Sequence, residues 1–488
     1  MSHSNFHIKP LWIYLLGGIT ALLAPFSFAL QMPELSALPL LFLLFWFAIT
    51  YPVYYVILTA SLVPLSIQID DIGAGLGISL PTEPLMIGFW LLLLLRFAIY
   101  PQIDRSFFKH PIFIAASLYL FWYLVTTLTS TMPVTSLKSF IARTWFAGIF
   151  FYFFSQRLHQ FKILKTFLIV MIIGSTLLVG YTLIRHAGEN FVRLHSYTIM
   201  RPFFNDHGIY AAYIAFFLPV VIAFAWFGKS FGFSPFWRII LGLLALLFLL
   251  GIVFSYTRAT WISIVGMVIL GLLVRYGVTF KQMMGALALI LLLFLWQNER
   301  ILYELSRNKQ DSAEQLEDHI KSVSNISTDP SNLERINRWK SAVEMAKQKP
   351  VLGFGPYTYT YQYAPFQRPE DLTLISTHAG TLGNAHSEYF MALSEMGIPG
   401  LLFLLALFFS SLYVGIKVYK EALQPHIRIL AISITLGLMT YYIHGLLNNY
   451  TEYDKIAVPL WSFLAILTAL DLYYPKINQA KATHEEAG

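Results

Sequence analysis

Apolar runs of roughly 17–25 residues recur along the chain, each long enough to cross a hydrocarbon core of about 30 Å as an α-helix. In lipid, every backbone polar group must find its partner inside the protein, so only helices and closed barrels span a membrane. A barrel would alternate apolar and polar residues over about ten positions, and that alternation is absent. The 488 residues are 57% hydrophobic and 12% charged, with a mean hydropathy of +0.62. Soluble domains carry about 25% charged residues, so a soluble globular fold is excluded. The expected class is all-α, a polytopic membrane helix bundle of about 12 to 14 spans with one long loop carrying amphipathic helices.

Candidate spans cover residues 11–30, 35–50, 52–67, 84–100, 111–130, 137–155, 163–184, 208–227, 237–254, 260–275, 281–297, 399–416, 428–446 and 456–474. Tyr51-Pro52 separates the second from the third, which predicts a broken or re-entrant pair. Leu11 to Leu30 follows a short polar start and imitates a signal peptide, but its length reads as a first membrane helix. The chain thus divides into N-terminal helices (1–297), a long loop (298–398), and C-terminal helices with a tail (399–488).

The net charge is +7, yet the basic residues are scattered among short loops. That distribution reads as a topology signal rather than a nucleic-acid footprint. It places both termini in the cytoplasm and the segments 185–207, 255–260, 298–398 and 447–455 outside. Arg185, Arg193, Arg201 and Arg258 then oppose the positive-inside rule and need another reason to be there. The absence of cysteine rules out disulfides, thiolate metal sites and a cysteine nucleophile.

Within the long loop, Gln310 to Pro330 is polar and without apolar period, as expected of a mobile segment. Asn332 to Lys349 carries Leu333, Ile336, Trp339, Ala342, Val343 and Ala346 at helical spacing. This predicts an amphipathic helix lying on the membrane or covering the bundle. Tyr357, Tyr359, Tyr361 and Tyr363 follow at alternate positions, either as a sugar-stacking wall or as an interfacial aromatic belt.

Five places carry candidate chemistry. Arg258 sits where two apolar helices meet with almost no loop, and is either a snorkelling arginine or a phosphate ligand. Arg201 precedes Asn205 and Asp206 at a helix start, where capping and anion binding are both open. Arg335 and Arg338 lie on the loop helix, whose default is a solvated face. Arg143 is an intramembrane arginine, a functional candidate unless it pairs with a structural acid. His386 is the best proton-transfer group, because imidazole titrates near neutrality. If a helix starts there, Tyr389, Phe390, Leu393 and Gly397 share its face, while Glu388 and Glu395 fall opposite. Gly397-Ile398-Pro399-Gly400 predicts a break between the polar and apolar parts of that helix. His378 and His386 with His207 or His444 match no zinc spacing, and Asp70-Asp71 among glycines reads as an outer loop, so no metal site is expected.

The segments Ser255-Tyr256-Thr257-Arg258-Ala259-Thr260-Trp261, Arg335-Ile336-Asn337-Arg338-Trp339, Lys349-Pro350-Val351-Leu352-Gly353-Phe354-Gly355, Asn384-Ala385-His386-Ser387-Glu388-Tyr389 and Ser394-Glu395-Met396-Gly397-Ile398-Pro399-Gly400 resemble, in order and spacing, the bacterial O-antigen ligase and polymerase superfamily. The similarity is strongest from about 200 to 455. The resemblance implies transfer of a glycan from an undecaprenyl diphosphate carrier at the periplasmic face of the bacterial inner membrane. The acceptor is the lipopolysaccharide core for a ligase or a growing glycan for a polymerase. By the same resemblance Arg258 holds the diphosphate and His386 activates the acceptor hydroxyl; Ser387 stands where many members have asparagine.

The expectation is therefore a metal-independent, inverting glycan ligase without cofactor, with polymerase as the alternative. His386 and Arg258 are the catalytic candidates. Arg201, Arg335 and Arg143 join Arg258 as diphosphate ligands, and Tyr389, Tyr357 and Tyr359 are acceptor or sugar contacts. Membrane lipids are the other partner. A transporter or flippase for an anionic lipid-linked solute is the rival from another class, though such proteins place polar groups near the bilayer midplane.

Overall fold

The computed structural model describes residues 38–69, 78–99, 104–290, 330–373 and 383–476, with isolated positions 18, 292–293 and 376 besides. Nearly all of the expected span 11–30, the pair Asp70-Asp71, the polar stretch before Pro330, His378 and the tail beyond 476 lie outside the described residues.

Two shorter apolar helices come first, α1 (Leu38–Thr50) and α2 (Pro52–Leu62), interrupted at Tyr51 because Pro52 cannot donate to the preceding turn. Then follow α3 (Thr82–Ile99), α4 (Pro111–Leu128), α5 (Pro133–Ala147), α6 (Phe161–Gly188), α7 (His207–Trp226), α8 (Pro235–Val253) and α9 (Arg258–Arg275). After the long connection come α10 (Pro330–Gln348), α11 (Glu388–Glu421), α12 (Pro425–His444) and α13 (Asp454–Tyr473). Among the described residues, nine of these helices (α3, α4, α6 to α9 and α11 to α13) are long and apolar enough to cross a membrane. The described strands are one short antiparallel hairpin, β1 (Ile67–Ile69) with β2 (Ile78–Leu80). The protein is an all-α polytopic bundle.

Helices α7 and α13 are apolar on every side, and a helix of that kind belongs inside. They form the centre of the bundle, with Phe216 and Phe217 of α7 packed edge-on against Phe463 of α13. Both ends of α13 are pinned by buried charge. At its start, Asp454 accepts from the Ser66 and Thr82 hydroxyls, and Lys455 donates to the Val63 and Ser66 carbonyls. At its end, Asp471 gathers His110, Lys417 and Lys476 within 3.3 Å. Removing one partner of such a buried group costs about 3–5 kcal/mol, because the other is left uncompensated.

Helix α11 is broken where the Gly-Ile-Pro-Gly sequence predicts. Gly397 has φ 69° and ψ −172°, outside helical space. The peptide groups released there find other partners: Ile398 N donates to the Pro350 carbonyl at 2.8 Å, and Trp122 Nε1 donates to the Met396 carbonyl at 2.8 Å. The outer half of α11 thereby packs with the connection that follows α10. A second, smaller core forms there from Ala342, Met345, Phe354, Tyr359, Tyr363, Ala385 and Met391.

The face that α10 buries shares only Ala342 and Ala346 with the expected apolar stripe. Glu334, Asn337, Arg338, Ser341, Ala342 and Met345 are buried, whereas Ile336, Trp339 and Val343 line a pocket. Internal bonds make the polar face buriable: Arg338 Nε donates to Glu334, and Asn337 Nδ2 donates to Gln367.

Candidate active site

At one end of the bundle the starts of α7 and α9, the inward face of α10, the turn before α11 and the connection after α12 enclose a pocket of about 760 Å³. Its walls include Arg193, Asp206, His207, Tyr256, Arg258, Arg335, Trp339, His386, Phe390, Asn448 and Tyr450. Farther along α10 they continue with Lys340, Val343, Glu344 and Lys347, joined by Arg368. These are segments that the topology signal assigns to a single side.

Each side chain is placed by a local rule. Pro-free, near-loopless reversal between α8 and α9 puts Tyr256 at φ 52° and starts α9 at Arg258, so the guanidinium stands at a helix N-terminus, where negative charge is favoured. Asp206 caps α7: its Oδ1 accepts from Gly208 N at 2.6 Å and Ile209 N at 3.0 Å, and from the Tyr450 hydroxyl at 3.1 Å. Oδ1 of Asp206 is thus committed to protein donors, and it ties the α7 start to the connection after α12. On α10, Arg335 and Trp339 are one turn apart and face the same way, and Trp339 stacks on Phe390 with ring centres 5.3 Å apart.

His386 lies just outside α11, whose cap is Ser387, rather than on the helix. Its φ is 48°, and its N–H is held by Asn384 Oδ1 at 3.0 Å. The shared helical face with Tyr389 therefore does not form. Burial first, then the Arg335 and Arg338 guanidinium groups, push the His386 imidazole down to about 3. At neutral pH the ring is uncharged and can accept a proton.

His386, Arg258 and Arg335 thus meet in one pocket, and the other expected site residues do not. Arg143 donates to the Thr451 carbonyl at 2.9 Å in a separate cavity of about 20 Å³. Arg201 is exposed and does not line the pocket; Arg193 of the same connection does. The Tyr389 hydroxyl turns into the bundle and donates to the Tyr442 carbonyl at 2.8 Å. Tyr359 is buried against Tyr363 and donates to the Arg338 carbonyl at 2.8 Å, so the alternate tyrosines form a folded corner rather than an extended wall. Tyr357 is half-exposed beside Tyr361, away from the pocket lining. Glu388 accepts from Tyr450 N, Thr451 N and the Tyr441 and Thr451 hydroxyls, and so fixes the connection after α12.

The residues that the sequence reading left out are Asp206 as a wall of the site, Arg193, Trp339, Asn448 and Tyr450. Arg193 carried a signal, since it opposes the topology rule; Asn448 and Tyr450 carried none at the level of spacing. Among the described residues, no group of three His, Asp or Glu side chains is placed to hold a metal ion. A cavity with guanidinium groups, an uncharged imidazole and an aromatic wall suits an anionic leaving group next to a hydroxyl nucleophile.

Comparison with curated proteins gives no match to this chain. Residues 243–405, which include Arg258, Arg335 and His386, match the family described as O-antigen ligase, and this match supports membership of the O-antigen ligase and polymerase superfamily and, in general terms, glycan transfer of that type.

Proposed function

We propose that the protein transfers an oligosaccharide or polysaccharide from undecaprenyl diphosphate to an acceptor hydroxyl at the periplasmic face of the bacterial inner membrane, as an O-antigen ligase does. The observation that carries this reading is the meeting of Arg258, Arg335 and His386 in one pocket among apolar helices. The acceptor oxygen attacks the anomeric carbon, the bond from that carbon to the diphosphate oxygen breaks, and the hydroxyl proton passes to His386. The lipid diphosphate leaves on the side opposite the attack, which inverts the anomeric centre. Fixed guanidinium groups meet the charge that develops on the leaving oxygen, and they need no reorganisation to do so.

Within that mechanism Arg258 and Arg335 hold the diphosphate, with Arg193 in place of Arg201. Trp339 and Phe390 offer the aromatic surface on which a sugar ring rests. Burial first, and then Arg335 and Arg338, depress His386; a diphosphate held by Arg335 sets negative charge against that guanidinium, which favours the imidazolium that forms as the acceptor loses its proton.

The test is glycan transfer by purified protein in lipid nanodiscs, using lipid-linked glycan and acceptor glycolipid extracted from the native host. His386→Ala is expected to lower turnover about 10²–10⁴-fold, and Arg258→Ala to lower kcat/KM by a similar factor. Full activity in both variants would overturn the reading. Transfer to a second donor molecule, in place of the acceptor glycolipid, would make the protein a polymerase.

A further inference from the structure

The turn that carries His386 is anchored on a buried ion pair that does not line the pocket. Glu334 and Arg338, one turn apart on α10, are only 3% and 6% exposed, and Arg338 Nε donates to Glu334 Oε1 at 2.8 Å. The other Glu334 oxygen accepts the hydroxyls of Thr373 at 2.8 Å and Ser376 at 2.5 Å. Arg338 Nη1 donates to the Asn384 carbonyl at 2.9 Å, and its guanidinium lies 5.3 Å from the centre of the Tyr363 ring. Gly383 passes so close that a Cβ there would overlap the guanidinium.

From Asn384 the contacts run straight to His386, whose N–H is held by Asn384 Oδ1. A left-handed conformation is unfavourable for a non-glycine residue, and it persists only where the surroundings over-determine it. Downstream, Glu388 N donates to the Gly445 and Asn448 carbonyls, so α11 is fixed on that side. Upstream, the side-chain anchor is Arg338. An apolar pair at 334 and 338 would hold α10 as firmly, since a buried ion pair gains little net stability over hydrophobic packing. It would lack a donor for the Asn384 carbonyl and a positive charge beside the imidazole.

We propose that Glu334 and Arg338 are positioning residues of the transfer reaction: through Asn384 they hold the left-handed turn that presents His386 to the acceptor, without touching substrate themselves. The proposal rests on the reading of His386 as the base. Burial first and then Arg335 depress the imidazole, and Arg338 adds to them, so its loss has an electrostatic signature that a purely structural residue would not produce.

The experiment uses the full chain in nanodiscs and measures kcat, its pH profile, and binding of undecaprenyl diphosphate. Arg338→Gln is expected to lower kcat about 10²-fold, as misplacement of a reacting group by about 1 Å does. Undecaprenyl diphosphate should bind as it does to the parent protein, and the acid limb of kcat should move to higher pH. Arg338→Lys keeps the charge but not the planar fork; its acid limb should stay put while kcat recovers in part. Glu334→Gln, which preserves shape, should lower kcat with binding unchanged, and it stands in for Arg338→Gln should that variant fail to fold. Parental kcat in these variants, or a loss of kcat matched by an equal loss of undecaprenyl diphosphate binding with an unmoved acid limb, overturns the proposal. His386→Ala, run beside them, separates the two ideas: an active His386→Ala removes the base itself, whereas an inactive one beside a normal Arg338→Gln removes only the clamp.

Discussion

Arg143 Nη1 and the Thr451 carbonyl are 2.9 Å apart, bridging 308 positions of sequence and joining α5 to the connection after α12. Glu388, Glu395 and Glu452 line the same small cavity. Arg143 is the guanidinium that lines it with them, apart from the pocket of Arg258 and His386, and we propose that it serves there as a structural counter-charge. Arg143→Gln is expected to destabilise the protein by about 3–5 kcal/mol, read as a drop in thermal unfolding temperature in nanodiscs. The fraction that remains folded should bind undecaprenyl diphosphate normally.

Arg193 and Arg201 share one connection but not one environment. Arg193 lines the pocket, whereas Arg201 is exposed with its carbonyl bound by Arg185 and Tyr181. Arg193→Ala should raise KM for the lipid-linked donor about 10- to 150-fold, as loss of a charge-assisted bond worth about 1.5–3 kcal/mol would. Arg201→Ala should change KM by less than about twofold. Steady-state kinetics with a fixed acceptor concentration tell the two apart.

Glu452 supplies a pH dependence of stability. Burial first, and then the neighbouring Glu395 carboxylate, push its carboxyl above the ordinary glutamate range, with Arg143 pulling the other way. The folded protein therefore holds a proton that the unfolded chain has already released. Its contribution to stability is complete below the unfolded pKa and is lost as pH rises through the folded one. Glu452→Gln, which cannot ionise, should flatten the fall in unfolding temperature on the alkaline side of that window. Parallel curves for the two proteins between pH 5 and about 9 would refute this.

Gly397 permits the break in α11. At φ 69° a side chain is strained by about 1–2 kcal/mol, and a Cβ would also overlap the backbone of Pro350 and Val351. Gly397→Ala should therefore destabilise by more than the strain alone and loosen the connection after α10. Amide hydrogen exchange should rise at Ile398, whose N–H is bound to Pro350, and turnover should fall with it.

The bundle and the break at Gly397 were legible because both rest on local chemistry: apolar length for the spans, and glycine with proline for the break. His386, Arg258 and Arg335 could be picked out for a related reason, as each stands at a helix start or on a loop helix beside recognisable neighbours. Arg143, Tyr389 and Tyr359 could not be placed, because a side chain's direction is set by partners remote in sequence, here Thr451, Tyr442 and Arg338. The apolar stripe of α10 held at Ala342 and Ala346, which are buried, and misled at its larger side chains. Ile336, Trp339 and Val343 are apolar because they face a pocket, while the side packed on protein is held by paired charges. Periodicity reports which face is apolar and is silent about what covers it.

The pocket draws its last wall from Asn448 and Tyr450, which follow α12. A ribosome has thus made every described helix but α13 before the cavity closes, and no nascent chain that stops before Asn448 contains it. A truncation just before residue 445 lacks Leu447, Asn448 and Tyr450 of the lining and should be inert rather than partly active.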